Sequence, residues 1–190
     1  MSVTYKDVFS EYEIKDASIK FEGDEGAYEK LGCVGSIDES METVTVTKKC
    51  EGVVTKSVTR GTGNGELTIS LHMRYDLYIK AFGMEDAALK DGVVGYGRES
   101  RHKSFAFVAK VKDEDGKVKY IAYPNLVVSS GSARKIENGA EEVAEIELTV
   151  AVNPDANGFG KYEALDTLLD VELKGKWMSE FSPELVKKAS

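Results

Sequence analysis

Histidine and cysteine, the commonest ligands and partners of metal and nucleophilic centres, are scarce here: His72, His102, Cys33 and Cys50 are the only ones in 190 residues. Tryptophan occurs once and proline three times. Nucleophilic catalysis needs a base beside a serine or cysteine, and each histidine has a simpler reading. His72 falls on the polar face of an expected strand, and His102 sits in the short basic cluster Arg98, Arg101, His102 and Lys103, read as a solvated loop or subunit contact. Long apolar runs are also missing. The start, Met1 to Ser10, is polar, and no stretch approaches the ~20 residues that span a bilayer, so neither a signal peptide nor a membrane helix is expected. Without a secretory signal the two cysteines are expected as free thiols. Positive charge is in deficit too, with 25 basic against 33 acidic residues and a net charge of -8. That balance disfavours binding to nucleic-acid phosphates or to an anionic membrane.

What is present suits one globular domain. Hydrophobic residues at 42% and charged residues at 31% exclude the apolar-poor profile of a disordered chain, and the length suffices for a proper core. The dominant period is two. Val44 and Val46 alternate with Thr43, Thr45 and Thr47 between Met41 and Lys49, predicting a half-buried strand with a wet threonine face. Leu67, Ile69, Leu71 and Met73 oppose Glu66, Thr68, Ser70 and His72. Between Val143 and Ala151, Ala144, Ile146, Leu148 and Val150 oppose Val143, Glu145, Glu147 and Thr149. Residues 104–111 and 118–123 read as a hairpin, with Asp115 and Gly116 supplying the positive-φ positions of its turn. Further strands are expected at 17–22 and 53–59. One internal helix is expected at 74–82, ended by Gly83, and Pro183 opens a possible last helix, 183–188. Glycine-rich loops are expected at 61–65 and 92–97, and a polar loop at 129–139.

Three segments suggest ligands and each has a plainer reading. Gly61 to Gly65 could imitate a phosphate loop, but a strand rather than a helix follows and no Lys-Ser or Lys-Thr pair is present, so an inter-strand loop is preferred. Asp113 to Gly116 would need a bidentate Glu at the twelfth position of a calcium loop, where Pro124 stands. Asp155, Asn157 and Gly160 fit such a loop better, yet Phe159 occupies a ligand position and Asp166 replaces the Glu; a simple turn is preferred. Catalytic, cofactor and metal residues are therefore expected to be none.

Read in order, the motifs resemble the major tail proteins, the tail tube subunits of long-tailed phages, in the form found in siphophages of Gram-positive hosts. The residues are Arg60-Gly61-Thr62-Gly63-Asn64-Gly65-Glu66, His72-Met73-Arg74-Tyr75-Asp76 and Ala81-Phe82-Gly83-Met84, then Tyr120-Ile121-Ala122-Tyr123-Pro124, the charged loop before Glu141, and Asn153-Pro154-Asp155. The similarity covers residues 15–165; residues 1–14 form an N-terminal arm and 166–190 a C-terminal extension without matching motifs. The resemblance implies a mainly β, sandwich or barrel-like fold with one short flanking helix and extended loops. It implies a structural virion protein with no cofactor, assembling with itself into hexameric rings that stack into a tube, with other tail proteins at the ends. DNA would pass through it without specific binding, and the protein would pass from host cytoplasm to virion.

Half-covered sheets suit a protein whose neighbours finish the structure, and a negative bore would repel phosphates. The residues expected to face that bore are Thr43, Thr45, Thr47, Glu66, Thr68, Ser70, Glu145 and Glu147. The stretch from Lys48 to Gly65, carrying Lys48, Lys49, Glu51, Lys56, Arg60 and Asn64, is expected to reach the next ring. The alternative class is another surface-acting β-protein, a capsid decoration or immunoglobulin-like adhesion module, although the tryptophan and cysteine core signature of antibody-type domains is absent. In the C-terminal extension, Trp177 and Phe181 require a surface to cover them.

Overall fold

The structure, a computed structural model, describes residues 8–139 and 141–188; residues 1–7 of the expected N-terminal arm lie outside them. Eight strands carry the fold: β1 (Glu13–Phe21), β2 (Glu29–Lys30), β3 (Gly32–Cys50), β4 (Val53–Met73), β5 (Phe105–Lys112), β6 (Val118–Val128), β7 (Ile146–Val152) and β8 (Tyr162–Leu165). They form one antiparallel sheet in the order β2-β1-β5-β6-β7-β4-β3, with β8 added beside β6. The sheet curls until its two edges meet at Leu31, whose N–H donates to the Ala17 carbonyl and whose own carbonyl accepts from the Arg74 N–H, both at 3.0 Å. The protein is thus mainly β, and of the two shapes expected it takes the barrel-like one.

The period-two residues explain which side is dry. Ile19, Phe21, Leu67, Ile69, Leu71, Phe107, Leu126 and Val150 all point inward and are buried. Helix α1 (Tyr75–Ala81) closes one end of the barrel with Leu77, Tyr78 and Ala81. Gly83 ends that helix as expected: it sits at φ +60, and a side chain there would collide with the Arg101 carbonyl. The β5–β6 hairpin also forms. Of its turn residues only Gly116 has positive φ, at 81, whereas Asp115 does not. The longer loop from Asp113 to Lys117, closed by an Asp113 N–H bond to the Lys117 carbonyl, lets glycine alone take up the left-handed conformation.

Several expected loops and helices are corrected. Residues 61–65 are not a loop but part of β4, where Gly61 pairs with Thr43 and Gly65 with Met41 across an irregularity in the ladder. Gly63, at φ +83, lies under the Gly158 carbonyl, so glycine serves close backbone approach instead of flexibility. The expected helix at 183–188 is a run of turns. A second helix, α2 (Val171–Glu180), forms just before it, started by Asp170, whose side chain accepts from the Leu173 N–H at 2.7 Å. It packs outside the barrel, where Trp177 and Phe181 cover Val108, Tyr120 and Ala122. The strand expected from Val143 begins at Ile146. Among the described residues no helix is long and apolar enough to cross a membrane.

Candidate functional site

Two surfaces stand out, and both arise from the unequal lengths of the strands. β3 and β4 run for 19 and 21 residues, yet β4 meets β7 only from Gly65 to Leu71. Beyond Met41 the pair leaves the barrel as a two-stranded arm. It turns at Glu51 and Gly52, both at positive φ, 50 and 81, which suits the right-handed twist of a tight hairpin. Seven residues of β3 beyond Thr43 at ~3.3 Å each carry the tip roughly 23 Å past the barrel. Lys48, Lys49, Glu51, Lys56 and Arg60 all lie on this arm, and Asn64 at its root. The strands expected at 41–49 and 53–59 are thus the two sides of this ribbon, and the stretch from Lys48 to Gly65 is strand apart from the turn at its tip.

The arm is wet on both sides, which corrects the expected half-buried strand. Val46 is 61% exposed and Val58 50%, and these two valines face each other across the ladder, as do Lys48 and Lys56. The opposite side carries hydroxyls: the Thr45 and Thr59 side chains share a hydrogen bond at 2.7 Å.

The second surface is the outer face of β3, β4 and β7. Register puts Ser36 opposite Ser70, which in turn faces Glu147; Asp38 faces Thr68, itself opposite Thr149; Ser40 faces Glu66. Four of the eight residues expected to face a bore, Glu66, Thr68, Ser70 and Glu147, are brought together. Glu145 precedes β7, and its carboxylate fills the space beside Gly35, in the β3 bulge. Thr43, Thr45 and Thr47 do not join this face. Alternation along β3 puts them on the side of Ile37 and Met41, which pack against the core, so the shared polar face expected from their composition is corrected. The sequence reading missed Asp38 and Ser40, whose segment alternates too weakly to announce a strand. None of Asp38, Glu66, Glu145 and Glu147 belongs to an ion pair among the described residues.

At the barrel mouth on the arm's side, charges are paired instead. Lys161 holds Glu39 at 2.7 Å and also Glu163, Lys119 reaches Glu11 and, at 3.5 Å, Glu163, and the Tyr123 hydroxyl donates to Glu39. Burial works to lower the Lys161 pKa, but Glu163 and Glu39 outweigh it and hold the ammonium above its usual range. Burial, reinforced by Glu39, pushes the Tyr123 phenol far up.

The remaining candidates have structural occupations. Asp113 accepts from the Asp115 and Lys117 N–H groups, at 3.1 and 2.7 Å. Asp155 accepts from the Asn157 and Phe159 N–H groups and from the Tyr162 hydroxyl. Burial raises the Asp155 pKa, but these donors prevail and lower it overall, while the Tyr162 phenol is pushed up to about 12 by burial and by Asp155. His102 packs edge-on against Phe82, with one ring nitrogen 2.7 Å from the Val128 carbonyl and the other 3.1 Å from the Tyr96 hydroxyl. Cys33 lies opposite His72 on exposed strand surface. Among the described residues no group of three or more His, Cys, Asp or Glu side chains is placed to hold a metal ion.

No protein-family model matches the chain, and no curated protein matches it. Among solved structures it is similar to the anti-feeding prophage cap, the AFP tube terminating cap determined by cryo-electron microscopy. The TM-score is 0.39 and the identity 11%, over 87% of this chain and 99% of that one.

Proposed function

We propose that this chain is a structural subunit of a phage-type tail tube, assembling into hexameric rings that stack end to end around a bore that conducts DNA. The observation that carries the reading is the β3–β4 arm. A two-stranded ribbon with solvent on both faces is at best marginally stable by itself, and this one exposes valines on one side; a neighbouring copy that covers it accounts for its length and composition. The resemblance of the ordered motifs to tail tube subunits supports the same conclusion. Strand β3 ends the sheet, so its outer edge offers unpaired backbone groups to an adjacent subunit.

In this reading the face bearing Asp38, Glu66, Thr68, Ser70 and Glu147, with Glu145 at its border, lines the bore. Carboxylates without cations among them repel phosphates and let a duplex slide. The threonines on the arm, Thr43, Thr45 and Thr47, lie outside that face.

Electron microscopy of the purified protein tests the proposal. The full chain should form rings or tubes, and a variant with residues 44–59 replaced by a two-residue turn should keep the cooperative unfolding of a folded β-protein yet give only discrete particles or single rings. Tubes of normal length from the shortened chain, or only monomers from the full chain at high concentration, would refute it.

A further inference from the structure

The arm's opposed side chains point to what covers it. Lys48 and Lys56 are direct cross-strand partners, an arrangement that is destabilising for like charges, and neither forms an ion pair among the described residues. Next to them on the same face stand Val46 and Val58, also direct partners. The face therefore asks for a surface that is both apolar and anionic. The loop between β6 and β7 has that composition. Ile136 is 92% exposed and Val143 82%; they border a cleft of about 290 Å³ that Glu137 and Glu142 also line. Glu137 is already held by Lys135 at 2.8 Å, while Glu141 and Glu142 have no ion-pair partner among the described residues.

The topology forbids these surfaces from meeting within one chain. The loop leaves β6 at Val128 and enters β7 at Ile146, beside Leu71, at the barrel end that α1 closes. It is tied to that helix by the Arg134 guanidinium, 3.9 Å from the Tyr78 ring centroid. The arm's tip lies at the far end of β3, 18 residues from Gly32, or about 60 Å at ~3.3 Å per residue. Complementary patches at opposite ends of one molecule make a heterologous contact, which propagates as a stack instead of closing as a dimer.

We infer that the valine and lysine face of the arm docks on the β6–β7 loop of the next copy, with Val46 and Val58 against Ile136 and Val143 and with Lys48 and Lys56 against Glu141 and Glu142. The inference rests on the tube reading and names the axial contact within it. Nucleic acid is the other anionic partner, and it fits less well: two valines would be stranded against phosphates, and the protein is acidic overall at -8.

Charge exchange tests the contact. The arm variant K48E/K56E and the loop variant E141K/E142K should each lose long tubes in electron micrographs and sediment as discrete particles, because every facing pair becomes repulsive. The chain with all four substitutions should recover tubes, as should an equimolar mixture that alternates subunits only where unlike surfaces meet. All four positions are exposed, so circular dichroism should match the wild type throughout. Wild-type tubes that survive either reversal, or a fourfold variant that stays dispersed, would overturn the contact while leaving the tube itself intact. A wild type that never forms tubes would instead remove the reading on which it rests. Retention of a short duplex DNA by the wild type, lost in the arm variant while the loop variant assembles normally, would assign the arm to nucleic acid and overturn the inference.

Discussion

Replacing Trp177 with alanine should destabilise the protein by about 3–5 kcal/mol, the range for a buried tryptophan whose site cannot collapse. Its indole is 2% exposed, lies 4.9 Å from the Phe181 ring and 5.8 Å from that of Tyr120, and donates to the Ile121 carbonyl at 3.3 Å. Burying roughly 200 Å² of aromatic surface at ~25 cal/mol per Å² gives about 5 kcal/mol. The loss should approach that value, because α2 has no other fully buried side chain: Trp177 is the one residue of the helix in the core. Against a typical total of ~5–15 kcal/mol, the variant should unfold at a much lower urea concentration, read by circular dichroism. The protein has no other tryptophan, so its fluorescence reports directly on the docking of α2. Wild-type emission should be blue-shifted and resist quenching by iodide, and F181A, which keeps the probe, should shift it to the red. A loss below about 1 kcal/mol, the level of a surface substitution, or native emission like that of the unfolded chain, would refute the docking of α2 on β5 and β6.

Other perturbations follow from individual contacts. G63A combines a left-handed backbone, φ +83, with a methyl group 2.7 Å from the Gly158 carbonyl, and should cost about 2 kcal/mol or more, read as a lowered melting temperature; an unchanged value would reject the close approach of the 153–160 turn. Asp155 has a folded pKa below its usual 3.8, so its contribution is complete above about pH 4 and is lost as pH falls through the folded value. D155N should therefore be less stable than the wild type at pH 7 and converge with it in strong acid, and a gap that persists undiminished at low pH would contradict the assignment. Cys33 and Cys50 sit 17 residues apart on one strand, roughly 56 Å at ~3.3 Å per residue, far beyond the ~7 Å limit of a disulfide. Oxidation should give covalent oligomers and no internally bridged monomer in non-reducing gels; a fast-migrating oxidised monomer would show that β3 is not one continuous strand.

Strands whose inner face is apolar were legible from their alternation: Leu67 to Met73 and the β5–β6 hairpin appear close to where the pattern puts them. The helix before Gly83 was legible for the related reason that Leu77, Tyr78 and Ala81 share one side. Where alternation fails, so does the reading. β8 is four residues long with no buried position, and the first half of β3 carries a bulge at Gly35 that reverses its sides. Helix α2 was obscured by Gly175 in its middle, although the spacing of Leu173 and Trp177 and the cap at Asp170 marked it. Glycines misled at 61–65, because a residue that permits flexibility also permits close packing, and only the position of the 153–160 turn distinguishes the two.

The amino-acid order alone determined that the protein is mainly β, which side chains of each regular strand share a face, and that acidic charge dominates, because these depend on local periodicity and composition. Which strands neighbour one another, how far β3 and β4 outrun the sheet, and which carboxylates stand together across three strands were decided by the tertiary structure. Those properties come from pairings between residues as distant as Ser70 and Glu147, whose register is fixed by burying both strands' apolar faces in one core.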